Sequence, residues 1–360
     1  MTSGKTNGES KSQYEGVPKK MKALQYSKAE TFAVVEIDVP EIGDDDVLVK
    51  ISACGVCGTD LHYHKGEFLA KWPLIPGHEA AGTIAALGRN VTTLSLSDPV
   101  TADPLSPCHS CFHCTRNKPL LCTALTAYGG NAPGAFAQYA RYPAHLVHRT
   151  GALPALSAVL MEPAACALHG IERMQLAPGS RVLLFGCGPT GLLLAQLLRL
   201  NGAAHLTIAS KTGPKLDLAR GMGVADAFVA ISDDGAVADM AALHAANPHG
   251  FDVVVEATGA PSVLEGSIEF VRKGGKLVVY GVYDDKAKIA WSPFAIWANE
   301  ITILASFCSM QHMPGVLEYV NSGKLKLGGI VDRTFQIEEW AECMEVVRRQ
   351  ECVKAAIVFD

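Results

Sequence analysis

Over residues 21–49 apolar and polar side chains alternate, in MKALQYS, FAVVEIDV and DDVLVKI, with breaks at Pro40 and Gly43. A period of two belongs to a strand with one buried face, so the stretch predicts short antiparallel strands. The alternation continues through AAGTIAALG and AFAQYARYPAHLVHR around a cysteine-rich loop, which predicts a β-rich first domain. Near Pro154 the rhythm changes, and ALSAVLMEPAACALHGIERM reads as helix. From Ser180 onward SRVLLF, HLTIAS, DAFVAI, DVVVEAT and KLVVYG alternate with helical stretches. These runs are short, nearly all apolar and rich in Val, Ile or Leu, as expected of a parallel sheet covered by helices on both faces. After ITILASF, the segments MPGVLEYVNSGKLKL and IEEWAECMEVVRRQ read as helices and AAIVFD as a last strand.

Composition narrows the picture. With 360 residues, 49% of them hydrophobic, the chain can bury a core in each of two domains. Lys and Arg number 31 against 36 Asp and Glu, so the formal charge is -5 and no basic excess exists to bind nucleic acid. The first 20 residues are polar and lack the apolar stretch of a secretory signal; a tail and a cytoplasmic location are expected. Between Arg181 and Arg199 lies the uncharged run VLLFGCGPTGLLLAQLL. Its three Gly and one Pro favour a strand, a turn and a buried helix over a membrane span.

The turn in that run is Gly186-Cys187-Gly188-Pro189-Thr190-Gly191, placed after a strand and opening a helix. In that context GxGxxG marks a dinucleotide site. Gly186 allows the tight turn, Gly188 the approach of the pyrophosphate, and Gly191 the packing of helix on strand. Pro189 and Thr190 open the helix whose N-terminus would face the anion. At the end of the next strand, where an NAD site usually has an acid, the chain has Ser210 and Lys211, with Lys215 beyond. A hydroxyl and two cations suit the 2′-phosphate of NADP(H) better than a free ribose hydroxyl.

Eleven cysteines include Cys108, Cys111, Cys114 and Cys122 within one short loop. Without a signal peptide this spacing points to metal rather than disulfides, and a closed set of four thiolates to structural Zn2+. A second constellation is dispersed: Cys57-Gly58-Thr59-Asp60-Leu61-His62, then Gly77-His78-Glu79, then Glu162-Pro163. Its mixed donors suit a catalytic zinc with an open position. Each residue also has a plain structural reading, Cys57 as a small buried hydrophobe, His78 as a core histidine and Glu162 as a helix-start acid.

The segments GVCGTDLHYHKGEF and PLIPGHEAAGTI, the four-cysteine loop and GCGPTG occur in the order found in the zinc-dependent medium-chain alcohol dehydrogenases, and the chain resembles that family over nearly its whole length. MEPAACALHG is similar to the polyol branch, which includes sorbitol, xylitol and arabinitol dehydrogenases. Ser210 and Lys211 are most similar to the fungal NADP-dependent D-arabinitol dehydrogenases. The resemblance implies an α/β plus β-rich architecture: a GroES-like catalytic domain with an inserted Rossmann doubly wound parallel sheet, the active site lying in the cleft. The expected boundaries are a tail over 1–20, the catalytic domain over 21–160, the Rossmann domain over 161–300 and a return to the catalytic domain over 301–360.

The resemblance also implies that Cys57, His78 and Glu79 belong to the catalytic zinc site. Glu162 would be a ligand or bind a zinc-held water, Asp60 would orient a ligand, and Thr59 and His62 would form a proton relay. The implied enzyme transfers a hydride between NADP(H) and a polyol or ketose, with D-arabinitol, D-xylulose and D-ribulose first in line. NAD-dependent oxidation of sorbitol or xylitol is the second reading, and a non-catalytic zinc scaffold a third. Ser306 stands where sorbitol dehydrogenases carry an Arg near the substrate. A homo-oligomer, joined through ITILASF at the sheet edge, is the family expectation; neither a membrane nor a nucleic acid is an expected partner.

Overall fold

The structure, a computed structural model, describes residues 14–67, 70–232 and 236–360. It divides into two compact units. The first runs to Glu162 and takes in Thr334–Cys343 and Ala356–Asp360; the second comprises Pro163–Arg333 and Met344–Ala355.

In the first unit β1 (Lys20–Lys28) and β2 (Thr31–Asp38) form an antiparallel pair, with Met21 opposite Ile37. There follow β3 (Asp46–Gly55), α1 (Gly58–His64), β4 (Glu79–Leu87), β5 (Pro99–Ala102), β6 (Leu105–Ser106), β7 (Thr126–Ala127), β8 (Tyr139–Pro143), β9 (Val147–Arg149) and α2 (Ala155–Ala158). The ten-residue β3 is the spine of the main sheet. It pairs antiparallel with β4 along its length and with β8 through its first half. The last strand of the chain, Lys354–Val358, pairs antiparallel with its end, Ala356 opposite Gly55. The core carries Trp340, Tyr26, Tyr142 and Phe136, all nearly free of solvent exposure. Trp340 Nε1 donates to Tyr26 Oη at 2.7 Å and the indole packs 4.9 Å from the Phe136 ring, so the chain's return fills the first unit's interior.

Helix α3 (Met161–Met174) begins in the first unit and from Pro163 onward belongs to the second, which also contains β10 (Ser180–Phe185), α4 (Pro189–Leu200), β11 (Ala203–Lys211), α5 (Pro214–Met222), β12 (Ala227–Ile231), α6 (Ala236–Ala246), β13 (Phe251–Glu256), α7 (Pro261–Ser267), β14 (Val271–Val279), α8 (Pro293–Ala298), β15 (Thr302–Ala305) and α9 (Met313–Asn321). Six strands form a sheet in the order β12-β11-β10-β13-β14-β15, parallel throughout. This is the doubly wound arrangement, with the order reversing beside β10. Burial explains the runs of Val and Leu: Leu183, Phe185, Val254 and Leu277 lie in one buried cluster of this unit. The run 182–198 resolves into β10 and the buried helix α4, and no helix among the described residues is long and apolar enough to cross a membrane. The chain ends with β16 (Val331–Phe335), α10 (Trp340–Arg348) and β17 (Lys354–Val358).

Four details depart from the sequence reading. Residues 1–13 of the expected tail lie outside the described residues, whereas Tyr14 and Val17 pack on a buried cluster and the Ile42 N–H donates to Tyr14 Oη at 2.7 Å. The stretch from Ala155 to Met174 is two helices, because Pro163 lacks the N–H that would bond the carbonyl of Val159. Helix α9 stops at Asn321 rather than running through the following lysines. Gly323, at φ 70°, donates to the Val320 carbonyl and Lys324 to that of Tyr319, a Schellman termination. The sheet's sixth strand also lies beyond residue 300, where the return was expected to begin.

Candidate active site and metal centres

Cys57 caps α1, and its own N–H is held by Asp60 Oδ2 at 2.8 Å. The turn and the helix start therefore fix the cysteine before any ligand arrives. His78 and Glu79 come from the start of β4, after Gly77 at φ 95°. A Cβ on Gly77 would lie 2.6 Å from the Phe136 nitrogen, so only glycine lets the chain pass at this point. The result is one donor atom each from Cys57, His78 and Glu79 within 4.8 Å of one another.

The electrostatics of this cluster favour a cation. Burial alone would depress His78, but Asp60, Cys57 and Glu162 outweigh it and hold the imidazole well above its usual value. His78 Nδ1 is buried without a hydrogen bond among the described residues, 3.7 Å from Asp60 Oδ1. A sulfur, a nitrogen and an oxygen, gathered under a ring of negative charge, fit zinc with a coordination position left over. Glu162, in the first turn of α3, faces His78 as a charge and does not join the three-residue cluster.

Thr59 Oγ1 lies 3.6 Å from the Cys57 sulfur. His62 Nδ1 contacts Glu67 Oε2 at 2.7 Å, a carboxylate that the sequence reading did not single out. Its signal was only a position five residues beyond His62. Asp60, expected to orient a ligand histidine, also ties down the Cys57 backbone.

The four cysteines of the loop likewise converge within 4.8 Å. Backbone N–H groups point at their sulfurs: Cys108 N to Cys122, Cys111 N to Cys108, and Ala124 N to Cys122, each at 3.3 Å. Such donors favour thiolate. Hydrogen bonds from the Cys114 and Thr123 backbones hold Cys111 down to about 5, while desolvation and the facing thiols push Cys114 up to about 12. Four sulfurs competing for negative charge fit a closed tetrahedral cation site, and all four are free of disulfides. His109 and His113 are not in the set.

In the second unit the glycine loop makes a tight turn between β10 and α4. Gly186 adopts φ 92° and its N–H donates to Ala209 O at 2.9 Å. A Cβ on Gly191 would meet Gly186 O at 2.4 Å, whereas one on Gly188, the N-cap of α4, would meet nothing within 4 Å. The backbone is thus open on the side where a pyrophosphate would approach, ahead of Pro189 and Thr190. Ser210 lies near the end of β11 and hydrogen-bonds Cys187 of the loop, which burial pushes up. Lys211 is exposed. Lys215, on α5, is held below its usual value by burial, with Cys352, Cys187 and Asp332 opposing. It is therefore not a freely solvated charge. The nearest acid onward from Ser210 is the exposed Asp217, 3.6 Å from Arg220.

Sequence reasoning missed Glu256. It ends β13 beside Phe185, fully buried, and accepts the N–H of Thr258 at 2.7 Å, that of Gly259 at 3.3 Å and the hydroxyls of Thr258 and Tyr283. Thr258 Cγ2 stands 2.9 Å from where a Gly186 Cβ would be, so this carboxylate shapes the loop facing the glycine turn. An acid closing the apolar run VVVEAT was the available signal. Ser306 Oγ is buried without a hydrogen bond among the described residues.

The fold and these clusters define a zinc-binding dehydrogenase. Residues 43–154 match the family described as alcohol dehydrogenase GroES-like domain, and residues 189–322 the family described as zinc-binding dehydrogenase. The chain is 46% identical to D-arabinitol dehydrogenase 1 of Uromyces fabae over 95% of its length and 98% of that protein. It is 31% identical to sorbitol dehydrogenase of Bacillus subtilis strain 168, over 95% and 98%. A protein of Sinorhizobium meliloti 1021 classed with the zinc-binding dehydrogenases and solved bound to NADP superposes with a TM-score of 0.88 at 30% identity, covering 94% of this chain and 99% of that one. This chain belongs to the zinc-dependent medium-chain alcohol dehydrogenase family, on its polyol dehydrogenase branch, and is an oxidoreductase.

Proposed function

We propose that this protein is an NADP(H)-dependent D-arabinitol dehydrogenase, interconverting D-arabinitol with D-xylulose or D-ribulose, and that it carries one catalytic and one structural zinc. The observation that supports it most is the Cys57, His78 and Glu79 cluster in a chain whose β11 ends on Ser210 and Lys211. When bound, zinc supplies Lewis acidity toward an alcohol or carbonyl oxygen, and nicotinamide accepts or gives the hydride. Cys57, His78 and Glu79 would hold the metal, with Glu162 adding charge nearby. Cys108, Cys111, Cys114 and Cys122 would hold the structural ion. Asp60 fixes Cys57 and faces His78, which keeps the donor set in place before substrate arrives.

Thr59 would hydrogen-bond the reacting hydroxyl, and His62, backed by Glu67, would exchange the proton with solvent. Gly186, Gly188, Pro189, Thr190 and Gly191 would cradle the pyrophosphate. Ser210, Lys211 and Lys215 would meet the 2′-phosphate. The reading also includes a cytoplasmic location and a homo-oligomer: β15 is an edge strand, and Ile303 on it, with Phe294, Trp297 and Phe307 near it in sequence, exposes apolar surface.

Steady-state kinetics with D-arabinitol, xylitol, sorbitol and ethanol, each with NADP and NAD, test the assignment. D-Arabinitol with NADP should give the highest kcat/KM, and D-xylulose or D-ribulose should oxidise NADPH. Sorbitol or xylitol with NAD as the best pair would replace this reading with an NAD-dependent hexitol or xylitol dehydrogenase. No turnover with any pair would favour a non-catalytic scaffold.

A further inference from the structure

A third cluster of metal-ligating side chains lies wholly in the second unit. One donor atom each from His169, Glu172 and His312 falls within 4.8 Å of the others. His169 and Glu172 stand three residues apart on α3, which puts them on one face, and His312 is the N-cap of α9. The two imidazole rings are 4.9 Å apart and tilted by 63°. His312 Nε2 lies 3.0 Å from Glu172 Oε2, while Ser309 Oγ sits 3.1 Å from His312 Nδ1.

That pattern is how a ligand histidine is commonly held: the outer nitrogen is engaged by a hydroxyl, and the inner one is directed at the remaining donors. An ion pair between a protonated His312 and Glu172 would satisfy those two residues. It would leave out His169, whose Nδ1 is buried without a hydrogen bond among the described residues. The neighbouring Arg173 is turned to the carbonyl of Ala305 at 3.3 Å.

We propose that His169, Glu172 and His312 form a further binding site for a borderline divalent ion such as Zn2+, separate from the two clusters above, and that the ion ties the start of α9 to α3. Two imidazoles and one carboxylate are a zinc donor set that leaves a coordination position for water. Glu172 is 63% exposed, so the ion exchanges with solvent and occupancy follows the free metal concentration. Binding the folded state only, it stabilises the second unit by mass action.

The test is equilibrium dialysis of the zinc-loaded protein against buffered free Zn2+, with metal counted per chain for the wild type, Glu172→Gln and His312→Gln. The wild type should hold one zinc more than either variant at the same free zinc, whatever the other two clusters retain. Its thermal unfolding midpoint should rise with added zinc while those of the variants stay flat. Glu172 projects into solvent, so its variant keeps the fold and remains informative if His312→Gln does not fold. Equal zinc counts in the wild type and Glu172→Gln, or an equal thermal response to zinc, would overturn the site.

Discussion

On the proposed reading, Ser210 sets the charge that the ribose end of a dinucleotide would meet. An acid there would stand close to the 2′-phosphate, and two unit charges about 4 Å apart at an effective dielectric of 20 repel by about 4 kcal/mol before screening. The exposed Lys211 would offset little, on the order of 1 kcal/mol or less. Ser210→Asp should therefore shift the preference from NADP(H) toward NAD(H) by about 10²-fold or more in the ratio of kcat/KM values, and Lys211→Ala by far less. Kinetics with both cofactors check this; an unchanged ratio in the Asp variant would refute it.

His148 makes a second residue-scale prediction, about pH. Burial pushes it below its usual value, so the folded chain takes up its proton less readily than the unfolded chain does. Below about pH 6.5 the unfolded chain binds more of this proton than the folded chain does, so stability falls as pH falls below that point. Denaturant unfolding at about pH 7.5 and about pH 5.5 should show the wild type losing more stability on acidification than His148→Gln. An equal loss in both would show that another group carries the effect. At this scale the sequence was readable where one position has one job, as with Gly186 and Gly191. It was silent where a common residue type acquires its role from distant chain: Glu67 and Glu256 look like any carboxylate until their partners converge.

At the level of elements, the proposed structural and catalytic zinc sites are built differently and should fail differently. The four-cysteine loop is mostly irregular chain, held by N–H groups that point at sulfur, so the metal itself would be part of what folds it. Cys57 caps a helix, and its own N–H is already held by Asp60. Cys111→Ser is expected to lower the thermal unfolding midpoint and release one zinc. Cys57→Ser should keep that midpoint within a few degrees yet reduce turnover by about 10³-fold or more, as loss of several kcal/mol of Lewis-acid stabilisation implies. Calorimetry with metal analysis separates the two; a Cys111 variant as stable as the wild type would remove the structural role. Strand positions were legible at this scale because burial on one or two faces leaves a period that survives in the sequence. Helix ends were less so. The stretch after Asn321 keeps an apolar spacing, and what stops α9 is the left-handed Gly323 and two backbone bonds, a signal of one residue against ten.

For the molecule as a whole, the fold class was readable because the change from alternating to continuous apolar strands marks the change of unit. Periodicity did not give the division: Thr334–Cys343 rejoins the first unit after more than a hundred intervening residues, and the expectation of a C-terminal return came from the family resemblance, because periodicity carries no information about which core a helix will enter. Trp340 shows what decides it. Its side chain is 1% exposed, packs on Phe136 and donates to Tyr26 Oη, which also lies 3.0 Å from His64 Nδ1 next to the end of β1 and α1. If this return is part of the first unit's core, Trp340→Ala should cost about 3–5 kcal/mol, the range for emptying a large aromatic site. Trp340→Phe keeps most of the packing and loses one buried donor, so it should cost about 1–3 kcal/mol. Glu342→Ala, on the exposed face of the same helix, should stay within about 0.5 kcal/mol. Against a total stability of about 5–15 kcal/mol the first of these would remove a large share. Denaturant unfolding followed by tryptophan-independent circular dichroism measures all three; a Trp340→Ala variant no less stable than Glu342→Ala would mean that the return is an appendage to the first unit rather than part of its interior.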